Sequence, residues 1–314
     1  MLQLVNFDDA PIAKSIFYGG NAGAKEAVIY NNGIWMIKYP KTTRDLVNPQ
    51  ISYTTSPLSE YLGSKIYEVL GIPVHETILG IRKNKVVVAC RDFTKNVAKP
   101  GSMFDKAYLI PFHDLKNSFM SNDIDEYSGT GSETLLDEVL ATINGQDDLK
   151  ALPDVTERFW DMFVVDAFIG NNDRNNGNWG ILIDAISREH TLAPVYDNGN
   201  AFFNKRGIAQ MHKRLGNVAD MKNDAYNIES TYKYTGLDNE GHKINPFDYI
   251  TNGGNKDCAE AVTRFISMID LAKVEAIIYS IPEQNGMLAV MPQVQKDFYT
   301  NLLRIRLDLI NDRS

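Results

Sequence analysis

FWDMFVVDAFIGNNDRNNGNWGILID, Phe159 to Asp184, joins two apolar runs through a loop crowded with polar side chains. The first run belongs to DVTERFWDMFVVDAFIG, which has helical spacing, with Asp154 standing where an N-cap is expected. Its Met and aromatic residues read as core beneath the loop, not as a cofactor box. After the loop, WGILID and TLAPVYD read as a short strand pair. Between helix and strand, Asn171 to Asn176 form an unbroken polar run. Turn capping is one use for such Asn and Asp residues.

A second use is chemical. Asp173 and Asn178 stand five residues apart, and Asp197 follows at the end of LAPVYD, before Asn198-Gly199. A carboxylate, a carboxamide and a second carboxylate suit phosphoryl transfer. One Asp orients or deprotonates the attacking hydroxyl. The Asn and the other Asp offer hard oxygen ligands to Mg²⁺, which bridges the ATP phosphates. Protein kinase catalytic loops have the same Asp-to-Asn interval and a later metal-binding Asp before Gly.

The first ninety-odd residues read as β-rich. AVIYNNGIWMIKYP is a hairpin about the turn Asn31-Asn32-Gly33. LSEYLGSKIYEVL is a helix started at Pro57 and Ser59 and ended by Gly71 and Pro73. Its apolar face carries Leu58, Tyr61, Leu62, Ile66, Val69 and Leu70. VHETILGIRKNKVVVACRDF reads as two more strands about Lys83-Asn84-Lys85. FYGGNAGAKEAVIY puts Gly19, Gly20 and Gly23 just before a strand, where backbone N–H groups can approach phosphate oxygens. A plain glycine turn is the other reading. It is neither a Walker A loop nor a dinucleotide fingerprint, because a strand follows and Lys25 lacks a flanking Gly, Ser or Thr. Lys38 lies in the apolar strand IWMIKYP and either snorkels outward or points at the α- and β-phosphates. Glu60 on the next helix is its candidate partner, or complements the helix N-terminus. VVVACRDF falls where a hinge would hold adenine through its backbone.

From about Asp105 the pattern turns helical. SETLLDEVLATINGQ, NKDCAEAVTRFISMI, LAKVEAIIYSI and VQKDFYTNLLRIRLDLI read as helices, with a polar, unassigned region over residues 204–254. The expected fold class is therefore α+β. A β-rich N-lobe spans 1–93 and a larger helical C-lobe spans 94–314.

The 314 residues are 44% hydrophobic with a net charge of −8, so non-specific nucleic-acid binding is not expected. Cys90 and Cys258 are expected to be reduced, buried thiols, and no Cys/His spacing suggests zinc. The N-terminus lacks a signal peptide and no run reaches the length of a membrane span. The expected compartment is the cytoplasm; export to a host cell without a cleaved signal would leave no mark here. His113 and His190 have no partner at triad or metal spacing and read as structural or surface residues.

Taken together, YGGNAGAK, NNGIWMIKYPK, SEYLGSKIYEVLGIPVHETILG, KVVVACRDF, FWDMFVVDAFIGNNDRNNGNWG, LAPVYDNG and NKDCAEAV resemble the HipA-like Ser/Thr kinases, over about residues 15 to 300. The resemblance implies an atypical two-lobed kinase fold related to phosphoinositide kinases, ATP and Mg²⁺ as cosubstrates, and Ser/Thr phosphorylation of proteins including the kinase itself. Carried across, Asp173 matches the catalytic Asp, and Asn178 and Asp197 match the metal ligands. Lys38 matches the ATP-phosphate lysine. Gly20, Asn21, Ala22, Gly23 and Lys25 fall in the phosphate loop. Ala89, Cys90 and Arg91 fall on the hinge, with Asp92 at a ribose position. Two departures stand out. Asn175 occupies a position that phosphoinositide-kinase loops give to His, and the loop serine that some relatives autophosphorylate is absent from Gly19 to Lys25. Larger family members carry a further N-terminal domain, so an antitoxin-type partner and a DNA-bound assembly are left open.

Three readings compete. The first is an ATP- and Mg²⁺-dependent protein Ser/Thr kinase. The second is a small-molecule or lipid kinase, which a basic or apolar surface over AFFNKRGIAQMHKRLGN, residues 201–217, would favour. Those Lys and Arg residues read otherwise as a solvated loop or an acidic-peptide site. The third is a nucleotide-binding pseudokinase.

Overall fold

Asn31 and Asn32 take φ of 44° and 57°, and Lys83 and Asn84 take 51° and 54°. Left-handed backbone at both central residues makes a two-residue turn whose twist matches its flanking strands. In the computed structural model, which describes residues 1–19, 25–99, 102–121, 131–236, 241–252 and 255–312, these turns close two hairpins of one sheet. Its elements are β1 (Val5–Asn6), β2 (Lys25–Tyr30), β3 (Gly33–Lys38), then α1 (Ser56–Val69), β4 (Thr77–Arg82) and β5 (Lys85–Arg91). The strand order is β1-β4-β5-β3-β2, with β1 parallel to β4 and the other pairs antiparallel.

The period of two sorts the side chains of this sheet. Val28, Trp35, Ile37, Val87 and Ala89 pack with Phe7 on one face. Met36, Val88 and Cys90 face the other way, toward α1 and the main core. Lys38, two residues after Met36 and opposite Val88, shares that second face. α1 carries Pro in its first turn and is buried without a break from Pro57 to Ser64. It packs on β4, β5 and, later in the chain, on the helix Leu271–Ser280.

The helical pattern expected from Asp105 begins later than that. A hairpin of β6 (Lys95–Lys99) and β7 (Ser102–Asp105) comes first, then β8 (Ala107–Pro111) and only then α2 (Phe112–Ser121). β8 was hidden because AYLIP is short and its antiparallel partner lies far along the chain. After α3 (Leu136–Gly145), α4 (Asp147–Lys150) and α5 (Val155–Ile169) come β9 (Gly180–Asp184) and β10 (His190–Leu192). β9 lies between β8 and β10, with Ala107 opposite Asp184 and Leu192 opposite Ile181. The strand read over TLAPVYD stops at Leu192, since Pro194 has no N–H to give a ladder. The chain is recaptured at Val195, which bridges Val74. There Val195 N–H donates to Pro73 at 2.8 Å and His75 N–H to Val195 at 2.9 Å. Asp154 holds the N-cap position of α5 but makes no capping bond. Its φ of 63° is left-handed, whereas capping needs extended backbone.

The remainder comprises α6 (Ile208–Leu215), α7 (Val218–Tyr226), α8 (Pro246–Asn252), α9 (Lys256–Met268), α10 (Leu271–Ser280), β11 (Gln284–Asn285), β12 (Leu288–Ala289) and α11 (Gln293–Asn311). The 201–217 stretch is not a solvated loop. α6 occupies much of it, anchored by buried Met211 and packed on α11. One continuous core joins α1, α5, α9 and α11. Cys90 and Cys258 are free and buried, as expected. Among the described residues, no helix is long and apolar enough to cross a membrane.

Candidate active site

α5 is buried from Phe159 to Ile169 and ends at Gly170, whose φ of 70° supplies the left-handed cap. The polar loop that follows is organised by Arg174, which is buried. Its Nε donates to Asp166 Oδ2 at 2.9 Å and its Nη2 to Asp166 Oδ1 at 3.2 Å. Nη2 also reaches Asn198 Oδ1 at 2.5 Å, while Nη1 reaches the backbone oxygens of Asn178, at 3.1 Å, and Tyr196. Asp166 receives Asn171 Nδ2 at 3.0 Å and Tyr67 Oη at 3.2 Å as well. One ion pair thus fastens the helix, the loop and the segment around Asp197. A charged pair can be buried here because nearly every donor and acceptor is satisfied. Asn176 secures the loop from the other side, its Nδ2 donating to the Gly131 and Glu133 carbonyls at 2.8 Å each.

On this frame Asn178 Nδ2 donates to the Asp173 carbonyl at 2.7 Å, which leaves Asn178 Oδ1 without a donor among the described hydrogen bonds. Asn175 Nδ2 donates to Asp173 Oδ1 at 3.0 Å, and Asn175 Oδ1 accepts from Gly177 N–H at 2.9 Å.

Lys38 faces inward rather than snorkelling. Its Nζ lies 2.7 Å from Glu60 Oε2 and 2.8 Å from Asp197 Oδ1. Burial works against the ammonium, but the Asp197 and Glu60 carboxylates outweigh it and hold its pKa well above the ordinary value. Burial likewise opposes the Glu60 carboxylate, yet Lys38 first and His75 next bring its pKa far below the carboxylate range. Lys38 pulls Asp197 down too, against its own burial. Glu60 Oε1 is 3.0 Å from His75 Nε2 and accepts the Asn198 N–H at 3.0 Å. His75 Nε2 and Asn198 Nδ2 both meet Ser64 Oγ, at 3.2 and 3.1 Å. Glu60, His75 and Cys90 bring one ligand atom each within 4.8 Å of one another. That trio is a support and not a cation site, because the Lys38 ammonium already sits on Glu60. Asp197 itself has φ of 61°, a strained conformation for a non-glycine residue and a frequent mark of functional sites.

These groups share a cleft of about 1120 Å³, lined by Lys25, Lys38, Cys90, Arg91, Asp92, Asp173, Asn178 and Asp197 together with apolar Ile16, Met36 and Leu109. Lys25 Nζ donates to the Gly19 carbonyl at 3.0 Å, and burial followed by the nearby Lys38 charge lowers its pKa. Of the expected phosphate loop, Gly20, Asn21, Ala22 and Gly23 lie outside the described residues. Ala89 sits mid-ladder between Ile37 and Ile78, with its side chain in the cluster on the far face of the sheet. Asp92 does line it, but its carboxylate already accepts Tyr18 Oη at 2.7 Å, Thr94 Oγ1 at 2.6 Å and Thr94 N–H at 2.9 Å.

Sequence reasoning passed over His75, Arg174, Asp166 and Tyr196, whose Oη donates to the Gly177 carbonyl at 3.0 Å. One signal was available: Asp166 is a carboxylate inside the apolar run FVVDAFI, where only a buried partner makes it tolerable. His113, read as structural or surface, lines the cleft and pairs with Asp114 at 3.0 Å.

No protein-family model matches the chain. It is 35% identical over 313 residues to the serine/threonine-protein kinase CtkA of Helicobacter pylori (strain J99), covering 99% of this chain and 87% of that protein. The crystal structure of a Helicobacter pylori proinflammatory kinase CtkA superposes with a TM-score of 0.82 at 31% identity, over 99% of this chain and 98% of that one. HipA of Shewanella oneidensis MR-1, from a complex with HipB and operator DNA, superposes with a TM-score of 0.52 at 11% identity, over 97% of this chain and 66% of that one, a likeness of fold alone. With a curled sheet and α1 set against a helical remainder, and with this identity along nearly its whole length, the chain belongs to the family of the serine/threonine-protein kinase CtkA.

Proposed function

We propose that the chain transfers the γ-phosphoryl group of Mg-ATP to Ser or Thr hydroxyls of proteins, itself among them. The observation that carries this reading is Lys38 held between Glu60 and Asp197 in the cleft that Asp173 and Asn178 also line.

Asp173 is assigned the acceptor hydroxyl, which it orients and whose proton it receives. Asn175 holds that carboxylate, and Asn178 the Asp173 backbone carbonyl, before substrate arrives, so little reorganisation is left for the transition state. Lys38 is assigned the ATP phosphates, with Glu60 holding the ammonium in place. Asn178 Oδ1 and the Asp197 oxygen not used by Lys38 form a hard, oxygen-only donor set that fits Mg²⁺. Magnesium bound there would neutralise charge on the transferring phosphates. Adenine is assigned to the end of β5 from Cys90 to Phe93, where the chain leaves the ladder after Arg91. We set the boundary between lobes at 93/94. The HipA likeness is one of fold and brings no antitoxin partner into this reading.

The test is incubation with γ-labelled ATP and Mg²⁺, followed by mass spectrometry. The native chain is expected to label itself on Ser or Thr, and Asp173→Asn to bind ATP without transfer. Full activity in Asp173→Asn would overturn the assignment, and tight Mg-ATP binding without any transfer by the native chain would make it a pseudokinase.

A further inference from the structure

The cleft continues past Asp173. A neck of about 40 Å³ lies among Ser56, Glu60, Asp173, Asp197 and Asn200, room for on the order of one small group such as a hydroxyl. Asn200 also lines a second groove, of about 710 Å³, together with Asn172, the residue before Asp173. Asn200 Nδ2 donates to Asn172 Oδ1 where neck and groove meet.

Carboxamides dominate this groove, among them Asn172, Asn200, Asn204, Gln210, Asn227 and Asn245. Some are fixed from behind. Asn204 Nδ2 donates to the Gly199 carbonyl at 2.6 Å, and Asn245 Nδ2 to the Tyr226 carbonyl at 3.0 Å. Among the described hydrogen bonds, Asn172 Nδ2, Asn204 Oδ1 and the Gln210 carboxamide have no partner. Donors and acceptors side by side match the N–H and C=O groups of an extended main chain.

The groove is also cationic. Exposed Lys205 has no carboxylate partner among the described residues, whereas Lys243 pairs with Glu229 at 3.3 Å and Arg206 pairs with Asp224. Arg306 lies behind Gly170, which lines the groove. It is wholly buried, with Nε and Nη1 on the Ala225 and Phe168 carbonyls at 3.2 Å each and Nη2 unpartnered. Burial pulls its pKa down to about 9. A cation with no ion-paired counter-charge, set in a low-dielectric wall, favours an anionic guest.

We propose that this groove seats the acceptor: an extended polypeptide segment whose Ser or Thr enters the neck toward Asp173 while a neighbouring acidic side chain meets Lys205. The inference rests on the kinase reading above and adds where the acceptor segment sits and what flanks its Ser or Thr.

The test uses the full chain with a degenerate Ser/Thr peptide library and labelled ATP, beside phosphoinositide-containing vesicles. Fluorescence anisotropy with a labelled Glu-rich Ser peptide reports binding without catalysis. The native chain is expected to enrich Asp and Glu next to the acceptor. Lys205→Glu is expected to erase that selection and to weaken the acidic peptide roughly fivefold, the scale of an exposed ion pair. Gln210→Ala is expected to weaken acidic and neutral peptides alike. Melting curves control for folding. An unbiased library, unchanged selection and binding in Lys205→Glu, or label entering lipid in place of peptide would each overturn the groove assignment. Peptide binding that Lys205→Glu weakens, in a chain that transfers to no acceptor, would sink the kinase reading and leave the groove standing.

Discussion

Asn175 donates its carboxamide N–H to Asp173 at 3.0 Å, so the loop residue least like its phosphoinositide-kinase counterparts grips the carboxylate assigned to the acceptor. A histidine ring offers an N–H from the same position. Asn175→Ala is expected to lower the turnover of self-phosphorylation roughly tenfold, through a misaimed carboxylate, with the KM for ATP little changed. Asn175→His is expected to recover most of the loss. Steady-state kinetics on both variants separate this from a structural role, which would move both constants and leave histidine no better than alanine.

Lys38 sets the acid behaviour of two carboxylates, buried Glu60 and partly exposed Asp197. In the native chain the folded pKa values of Glu60 and Asp197 lie below their unfolded values, near about 4. Their pairing therefore stabilises fully above that range and fades as pH falls through the depressed values. Lys38→Met leaves burial unopposed by the ammonium, so the sign reverses and the carboxylates resist ionising. Thermal melts should show a loss of about 3 kcal/mol at neutral pH. The gap to the native chain should narrow as pH drops toward 5. A gap that widens on acidification would contradict the ion-pair account.

Gly170 is confined by backbone and by space. Its φ is 70°, and a Cβ there would stand 2.6 Å from Arg306 Nη1. Gly170→Ala is expected to destabilise by at least about 2 kcal/mol, read as a lower urea midpoint. Gly170→Ala combined with Arg306→Met should recover part of that loss, because the clash goes while the left-handed strain stays.

Both thiols should be silent in the folded chain. Burial pushes Cys90 far above the ordinary thiol range and Cys258 up to about 12. Since the thiolate is the reactive form, Ellman's reagent at pH 8 should titrate neither until denaturant is added, and then two per chain. Rapid reaction at Cys90 in the native protein would mean that the cleft face of the sheet is open.

Parts of this arrangement were legible before any coordinates. The two hairpins announced themselves through Asn31-Asn32 and Lys83-Asn84, whereas the direction of Lys38 stayed open until the sheet register put it on the side away from Trp35 and Ile37. The gathering of Asp173, Asn178 and Asp197 around one cleft followed from spacing and chain order. What stayed hidden depends on partners remote in sequence. Arg174 looked like one more polar loop residue because Asp166 lies back inside a helix and Asn198 beyond two strands. Where β5 stops was also out of reach, because a strand's end turns on its partners, and the ladder runs on to Arg91. β8 was missed for want of a local pattern, and α6 because a short helix rich in Lys and Arg resembles a solvated turn.

α1 bears on control. Ser59 Oγ donates to the Ala201 carbonyl at 2.9 Å, Glu60 takes the Asn198 amide, and Gly63 leaves no room beside Asn198 for even a methyl group. Kinases that idle by swinging this helix outward break the Lys–Glu pair to do so. Here the same movement would strip the core from Pro57 to Ser64 and drag the Asp197 segment along. Amide exchange along α1 should accordingly rank among the slowest in the molecule, with or without nucleotide. On the kinase reading, α1 is therefore expected to stay in place in every state, and restraint is expected from an occupant that blocks a site.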